Sequence, residues 1–217
     1  MEIWQVTRTR AKICGITSVG DARAAVQAGA DAIGLNRYPH SPRYVSVQDA
    51  IDISKQVPAF VTKVALFVNE TVAEVKAFLE HVSVDLLQFH GDEDEAYCRQ
   101  FDLPYIKVFK VESGAELATR VRHFPSSQGI LVDSMVPGQQ GGTGQVFDWQ
   151  GLPDFDKPLI LAGGLTKANV SQAIATVKPY AVDVCSGVES APGVKDATKI
   201  KEFLAVVAAA DRGSRYE

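Results

Sequence analysis

The feature that most constrains the fold of this chain is an alternation of short apolar runs with segments of helical spacing. Most intervals between the runs carry apolar residues three or four positions apart, as at Val72, Val75 and Leu79, which is typical of helices packed on one face. The glycine-rich interval between the sixth and seventh runs leaves room only for a short or irregular helix. Eight runs have the length and composition of buried strands: residues 10–14, 31–35, 61–67, 85–89, 105–109, 129–133, 158–162 and 181–185.

The spacing of these runs predicts a closed barrel. Their starts lie roughly 20 to 30 residues apart, enough for a strand, a crossover helix and two short loops, and such crossovers make neighbouring strands parallel. An open doubly wound sheet usually has fewer strands. We therefore predict one α/β domain, a single (β/α)8 barrel over residues 1–217, with a short N-terminal extension at 1–8 and a C-terminal tail at 211–217.

Charge and cysteine usage narrow the class of protein. The formal net charge of −4 argues against a surface for nucleic acid or anionic membranes, and no segment has the roughly 18 consecutive apolar residues of a membrane helix. Cys14, Cys98 and Cys185 are scattered and odd in number, which is poor material for a disulfide framework and fits the cytoplasm. Neither the cysteines nor the four histidines have the spacing of a metal site, so we expect no bound metal.

Two ionisable residues end predicted strands where a barrel gathers its function. Cys14 ends the first run and Asp133 ends the sixth, and in a closed barrel these two strands lie three places apart around one mouth. A thiolate and a carboxyl group placed there can accept and donate protons. A cysteine beside isoleucines is also a common small core residue, and an aspartate often caps a turn, so the positions alone leave both interpretations open.

The loops after the last two strands have the composition of an anion site. Gly163 and Gly164 follow the seventh run, while Ser186 and Gly187 follow the eighth. Small residues allow backbone N–H groups to approach a phosphate closely, and this pair of loops is the usual phosphate position in such barrels. Ordinary turn glycines are the alternative explanation for each loop by itself.

Other polar residues fall near the same predicted mouth. Arg37 and Arg43 follow the second run, and a guanidinium offers a forked pair of donors to a carboxylate, although solvated loop arginines are common. His90 ends the fourth run, where a histidine bonded across the barrel top competes with a direct chemical role. The loop containing Gly141 and Gly144 has the composition of a closing lid or of an inert connection.

Several motifs follow one another in an order that resembles the phosphoribosylanthranilate isomerase family of tryptophan biosynthesis. The resemblance extends from about Ala11 to Phe203 and rests on KICGIT, GADAIGL, SPRYV, LFVN, LLQFHGDE, ILVDS, GGTGQVFDW, LAGGL and AVDVCSGVE. It implies a TIM barrel that converts N-(5-phosphoribosyl)anthranilate to 1-(2-carboxyphenylamino)-1-deoxy-D-ribulose 5-phosphate by an Amadori rearrangement, without a cofactor. It further implies a cytoplasmic enzyme, monomeric or homodimeric, whose partner is a small phosphoribosyl substrate.

The resemblance also assigns roles to individual residues. By it, Cys14 is the general base and Asp133 the general acid, and Arg43 holds the anthranilate carboxylate. Asp183 and His90 line the substrate pocket, and the phosphate loops contribute Gly163, Gly164, Ser186 and Gly187. The chain departs from the family pattern at Asn36, Arg37 and Cys185, which puts the pocket shape near the second strand in question.

Three other functions compete with the isomerase. A metal-dependent sugar-phosphate epimerase needs histidines at several strand ends, and only His90 is placed so. The indole-forming synthase of the same pathway needs a lysine at a strand end, for which Lys12 is the candidate because it shares a side with Cys14. A non-catalytic phosphate sensor would keep the anion loops but has no need of Cys14 and Asp133.

Overall fold

The structure is a computed structural model, and it describes residues 8–110, 114–133 and 151–213. Eight parallel strands, each hydrogen-bonded to the next, close into a barrel, which confirms the predicted fold. Parallel neighbours require a crossover connection, and helices supply most of these connections. The strands are β1 (Arg10–Cys14), β2 (Ala32–Asn36), β3 (Thr62–Phe67), β4 (Leu86–Phe89), β5 (Tyr105–Lys110), β6 (Gly129–Asp133), β7 (Leu159–Ala162) and β8 (Ala181–Val184).

The first three helices begin where the sequence supplies a capping side chain. Ser18, Ser46 and Thr71 each accept a hydrogen bond from a backbone N–H of the first turn of α1, α2 and α3 respectively, which satisfies a donor the helix itself leaves unpaired. The helices of the described residues are α1 (Val19–Gln27), α2 (Val47–Gln56), α3 (Val72–His81), α4 (Glu95–Cys98), α5 (Gly114–Val121), α6 (Val170–Val177) and α7 (Ala197–Gly213).

Two small elements follow β8 and lie beside the barrel mouth. A 3-10 turn (Ser186–Val188) leads directly into an antiparallel pair, β9 (Glu189–Ala191) and β10 (Val194–Lys195). Thr17, in the loop after β1, donates a 2.7 Å hydrogen bond to the carbonyl of Gly193 between these two strands. The β9–β10 pair is therefore held against the loop that follows the first strand.

The core has two layers because successive strand residues point to opposite sides. Outward residues such as Ile13, Val182 and Val184 pack with the helices in a large apolar layer. Inward residues form a smaller apolar cluster inside the barrel: Ile106, Val108, Leu131, Ile160, Ala162 and Ala181. Asp133 is two positions beyond Leu131, and Asp183 two beyond Ala181, so strand geometry turns both carboxylates toward the barrel axis.

The described residues also refine the expected ends of the chain. Helix α7 continues to Gly213, into the segment predicted to be a tail, and the Asp211 carboxylate accepts hydrogen bonds from Thr9 at 2.8–3.0 Å. Within the described ranges no helix has the length and apolar character needed to cross a membrane. The loop with Gly141, Gly142 and Gly144, and the irregular helix considered before β7, fall largely or wholly outside the described residues.

Candidate active site

A ring of ionisable side chains covers the apolar barrel interior at the carboxyl ends of the strands. Cys14 ends β1 and Asp133 ends β6, while His90 follows β4 and Asp183 lies on β8. Asp183 is influenced by the charges of both Cys14 and Asp133, and so is His90. The structure thus brings all four residues to one end of the barrel.

Cys14 lies in a space that a glycine leaves open. A Cβ placed on Gly34 of β2 would lie only 2.8 Å from the Cys14 Sγ and 3.1 Å from the Lys12 Cε. A hydrogen bond from the Cys185 thiol, together with the positive charges of Lys12 and Lys195, holds the pKa of Cys14 well below its usual value although burial opposes this. The site therefore favours the thiolate, the form of cysteine that can accept a proton.

Lys12 and Asp183 form an ion pair beneath the mouth. Paired in register on β1 and β8, they place Nζ and Oδ2 2.9 Å apart, and both side chains are buried. Burial raises the pKa of Asp183 to about 7, with the charges of Cys14 and Asp133 adding to the effect and Lys12 opposing it. The other carboxylate oxygen, Oδ1, is buried without a hydrogen-bond partner among the described residues. One acceptor of this buried pair is therefore left unsatisfied by the described residues.

His90 lies next to the carboxylate at the opposite side of the mouth. Its Nε2 is 3.8 Å from the Asp133 Oδ2, and its Nδ1 is 3.4 Å from the Gln88 side-chain nitrogen. Burial lowers the pKa of His90, so the neutral ring is favoured near neutral pH. If the Gln88 amide donates to Nδ1, the neutral ring carries its proton on Nε2, which faces Asp133.

A second buried ion pair holds the loop that carries His90. Lys107 on β5 donates to the Glu93 carboxylate at 2.8 Å and to the Gly91 carbonyl at 2.7 Å. Glu93 in turn accepts from the backbone N–H groups of Asn69 and Gly91. The donors around Glu93 fix the turn after β4 and therefore the position of His90.

Arg43 reaches the mouth in a salt bridge that the sequence did not predict. Its Nε and Nη2 each donate to a different Glu189 oxygen at 2.8 Å, and Lys195 donates to the same carboxylate at 2.8 Å. The hydrogen bond to Glu189 raises the pKa of Arg43, against its partial burial. Two of the five N–H donors of the guanidinium are thus used within the protein, and its side chain stays 24% exposed.

The loops predicted to bind phosphate meet each other. Gly163 and Gly164 have φ values of 89° and 62°, the left-handed region that glycine adopts without strain. A Cβ on Gly187 would lie 2.0 Å from the Leu165 carbonyl oxygen, so only glycine permits this contact between the two loops. Ser186 begins the 3-10 turn at the same place. A short extra helix after the last strand is where this fold commonly binds phosphate.

The departures at Asn36 and Arg37 organise the loop after β2. Asn36 donates to the Ser41 hydroxyl at 3.1 Å and accepts from the Tyr38 backbone at 2.8 Å. Arg37 donates to the Tyr44 hydroxyl at 2.9 Å and to the Val45 carbonyl. Arg43 contacts the site residues at the mouth, whereas Arg37 holds the loop that carries it.

Sequence reasoning missed Glu189 and Lys195. Glu189 stands in the quoted SGVE motif, but it is 146 residues from Arg43 in the chain, and no local pattern connects them. A buried lysine in a short strand has no periodic signal either. Among the described residues no group of three His, Cys, Asp or Glu side chains is arranged to hold a metal ion.

Comparisons with known proteins agree with this geometry. Residues 11–206 match the family model for N-(5'-phosphoribosyl)anthranilate (PRA) isomerase. A relative of that name from Pseudomonas syringae pv. tomato is 51% identical over 203 residues, which are 93% of this chain and 98% of the relative.

Solved structures give the same result. The phosphoribosyl anthranilate isomerase of Thermotoga maritima superposes with a TM-score of 0.85 at 41% identity, covering 93% of this chain and 99% of that one. A phosphoribosyl anthranilate isomerase in complex with reduced 1-(o-carboxyphenylamino)-1-deoxyribulose 5-phosphate has a TM-score of 0.79 at 37% identity, with the same coverage. The chain belongs to the N-(5'-phosphoribosyl)anthranilate isomerase family.

Proposed function

We propose that this chain catalyses the Amadori rearrangement of N-(5'-phosphoribosyl)anthranilate in tryptophan biosynthesis, with Cys14 as general base and Asp133 as general acid. The observation that carries the proposal is a thiol with a lowered pKa and a carboxyl group at the mouth of one barrel. An aldose-to-ketose shift needs one proton acceptor and one donor held at different substrate atoms.

The reaction begins with proton donation from Asp133 to the furanose ring oxygen. The ring C–O bond breaks, and the nitrogen lone pair forms the C1=N bond of a Schiff base. The Cys14 thiolate then takes the proton from C2, and the C2–H electrons form a C1=C2 bond as the C1=N electrons return to nitrogen. The resulting enolamine tautomerises to the ketone by loss of the C2 hydroxyl proton and protonation at C1.

The remaining site residues fix the two ends of the substrate. The loops containing Gly163, Gly164, Ser186 and Gly187 receive the phosphate. Arg43 binds the anthranilate carboxylate with the N–H donors that Glu189 does not use, since a guanidinium can serve two carboxylates at once. Asp183 and His90, at the same end of the barrel, contact the sugar.

The substrate's anthranilate fluorescence provides the test. We expect Cys14→Ala and Asp133→Ala each to lower turnover by at least about 100-fold, the smaller effect typical of a lost acid or base. Cys98→Ala, at a buried cysteine of α4, is the matched control and should retain turnover. Near-wild-type turnover in either site variant would reject the assigned role, and binding of substrate without conversion by the wild type would favour a phosphate sensor.

We further propose that the enzyme works in the cytoplasm on a small phosphoribosyl substrate and has no nucleic-acid partner. The net charge of −4 supports this, because polyanions select basic surfaces. The monomer and the homodimer remain the two candidate assemblies. Light scattering of the full chain distinguishes them.

A further inference from the structure

Cys14 and Cys185 lie side by side at the mouth. In the last pair of the β1–β8 register, Ile13 lies opposite Val184, and each cysteine is the residue that follows its strand's member of that pair. Neighbouring strands are about 4.8 Å apart, within the Cα separations of about 4.4–6.8 Å that a disulfide can bridge. The two thiols are close enough for each to shift the pKa of the other.

Cys185 lies against the backbone that carries Cys14. A Cβ on Gly15 would lie 3.0 Å from the Cys185 Sγ, which places this sulfur directly over the residue after Cys14. The chain leaves β8 at Cys185 and turns into the 3-10 segment, so this cysteine is outside the hydrogen-bonded ladder. Closing a bond between the two sulfurs therefore does not require a break in the barrel sheet.

A lysine lies beside each thiol, but the pKa values of the two thiols shift in opposite directions. The Lys195 Nζ lies 3.6 Å from the Cys185 Sγ and the Lys12 side chain lies beside Cys14. Cys14 is the thiolate of the pair because its pKa is lowered, whereas the pKa of Cys185 is raised by its hydrogen bond to Cys14 and by burial. A reactive thiolate next to a second thiol is the arrangement found in redox-sensing cysteine pairs.

We propose that Cys14 and Cys185 form an oxidisable dithiol site, at which hydrogen peroxide oxidises Cys14 and Cys185 then closes a disulfide. The Cys14 thiolate attacks one peroxide oxygen, the O–O bond breaks, and the departing hydroxide takes a solvent proton to become water. The product is a sulfenic acid. The Cys185 sulfur attacks that sulfur, the S–O bond breaks, and the departing hydroxide combines with the Cys185 proton as water. The two thiols lose two electrons, and one peroxide is reduced to two waters.

The disulfide has a functional consequence that rests on the proposed function. A Cys14 sulfur bonded to Cys185 no longer accepts a proton, so oxidation stops the isomerase reversibly. It also protects Cys14 from the irreversible sulfinic and sulfonic states. Cys98 has no part in this chemistry because burial raises the pKa of its thiol and it lies on α4, outside the barrel.

The experiment treats the full chain with a small excess of hydrogen peroxide, alkylates the remaining thiols, and maps the cysteines by mass spectrometry. Activity is measured before and after reduction with dithiothreitol, and each variant is compared with its own reduced sample. Cys185→Ser keeps a hydrogen-bond donor but removes the second sulfur. Cys98→Ser is the matched control.

We expect a Cys14–Cys185 peptide pair in the wild type and in Cys98→Ser, with activity falling at least about 100-fold and returning on reduction. Cys185→Ser should stop at a sulfenic acid that dimedone traps, and continued exposure should cause a loss that reduction does not reverse. The proposal would be overturned if Cys14 stayed unmodified, or if the wild type gave only oxyacids of Cys14. A disulfide through Cys98 would also overturn it. So would an equal recovery of activity on reduction in Cys185→Ser and the wild type. Peptide mapping does not depend on isomerase activity. If the chain formed the Cys14–Cys185 disulfide but had no turnover, the proposed function would be rejected and the dithiol site would stand.

Discussion

Lys12 and Cys14 share the inner side of the first strand, where a Cβ on Gly34 would approach both the Cys14 Sγ, at 2.8 Å, and the Lys12 Cε, at 3.1 Å. The ammonium group is fixed by its 2.9 Å contact with Asp183, so its charge stays beside the thiol. Burial works against that charge, but the carboxylate and the thiolate keep the pKa of Lys12 raised. We therefore expect Lys12 to be a positioning residue, whose charge stabilises the Cys14 thiolate.

Replacing Lys12 by methionine should move the acidic limb of the pH–activity profile. If Cys14 is the base, it works as thiolate, so activity should rise with pH through the Cys14 pKa, and the lowered pKa should keep the enzyme active below the usual thiol range. Without the nearby cation the limb should shift to higher pH by at least about one unit. The rate of Cys14 alkylation against pH measures the same thiolate directly.

A control separates this effect from the unpaired carboxylate that Lys12→Met leaves behind. The double variant Lys12→Met/Asp183→Asn removes both charges of the buried pair. Its Cys14 alkylation profile should still shift upward, but by less, because removing the Asp183 charge favours the thiolate. If turnover falls in Lys12→Met while the alkylation profile stays in place, Lys12 is only structural.

Arg43→Ala should chiefly weaken substrate binding. An anchor used equally in ground and transition states affects KM more than kcat, and losing charge-assisted hydrogen bonds of about 1.5–3 kcal/mol corresponds to a roughly 10- to 100-fold rise in KM. Arg23→Ala is the comparison, because Arg23 of α1 donates to the Gln56 side chain of α2, away from the barrel mouth. Steady-state kinetics decide, and an unchanged KM in Arg43→Ala would contradict the carboxylate assignment.

Gly187→Ala should separate the two loops that we propose bind the substrate phosphate. Its new Cβ would lie 2.0 Å from the Leu165 carbonyl oxygen, and a backbone atom yields only if the loop moves. We expect inorganic phosphate to inhibit the variant more weakly, with its inhibition constant raised roughly tenfold or more, about 1.4 kcal/mol. Gly20→Ala serves as the control because its nearest contact is an ordinary 3.6 Å. Equal inhibition of both variants would exclude a phosphate role for this contact.

Lys107→Met should destabilise the fold far more than a matched surface change. It leaves the buried Glu93 carboxylate without its cation, a loss of about 3–5 kcal/mol for broken buried pairs. Lys167→Met breaks an exposed 2.6 Å pair with Glu202, for which about 0–1 kcal/mol is typical. Denaturant unfolding of both variants makes the comparison, and similar free energies of unfolding would refute the argument.

The sequence alone was sufficient to predict the barrel and the strand ends that carry Cys14 and Asp133. Both follow from local patterns, because buried strands need continuous apolar runs and parallel strands need crossovers. The start of α1 also depends on a local signal, since the Ser18 hydroxyl caps its first turn. The positions of Cys14 and Asp133 did not decide between a catalytic and a structural role. The resemblance of the motifs to a known family assigned them the roles of base and acid.

Only the tertiary structure joined Arg43 to Glu189, Lys12 to Asp183 and Cys14 to Cys185. These partners are separated by most of the chain, and the last two pairs meet because the barrel closes β8 against β1. The burial and pKa of a side chain depend on which groups lie near it in space. The local periodicity of a sequence does not show which distant residues come into contact. The sequence determined the scaffold and the position of the mouth, while closure of the barrel decided the electrostatics of the thiol.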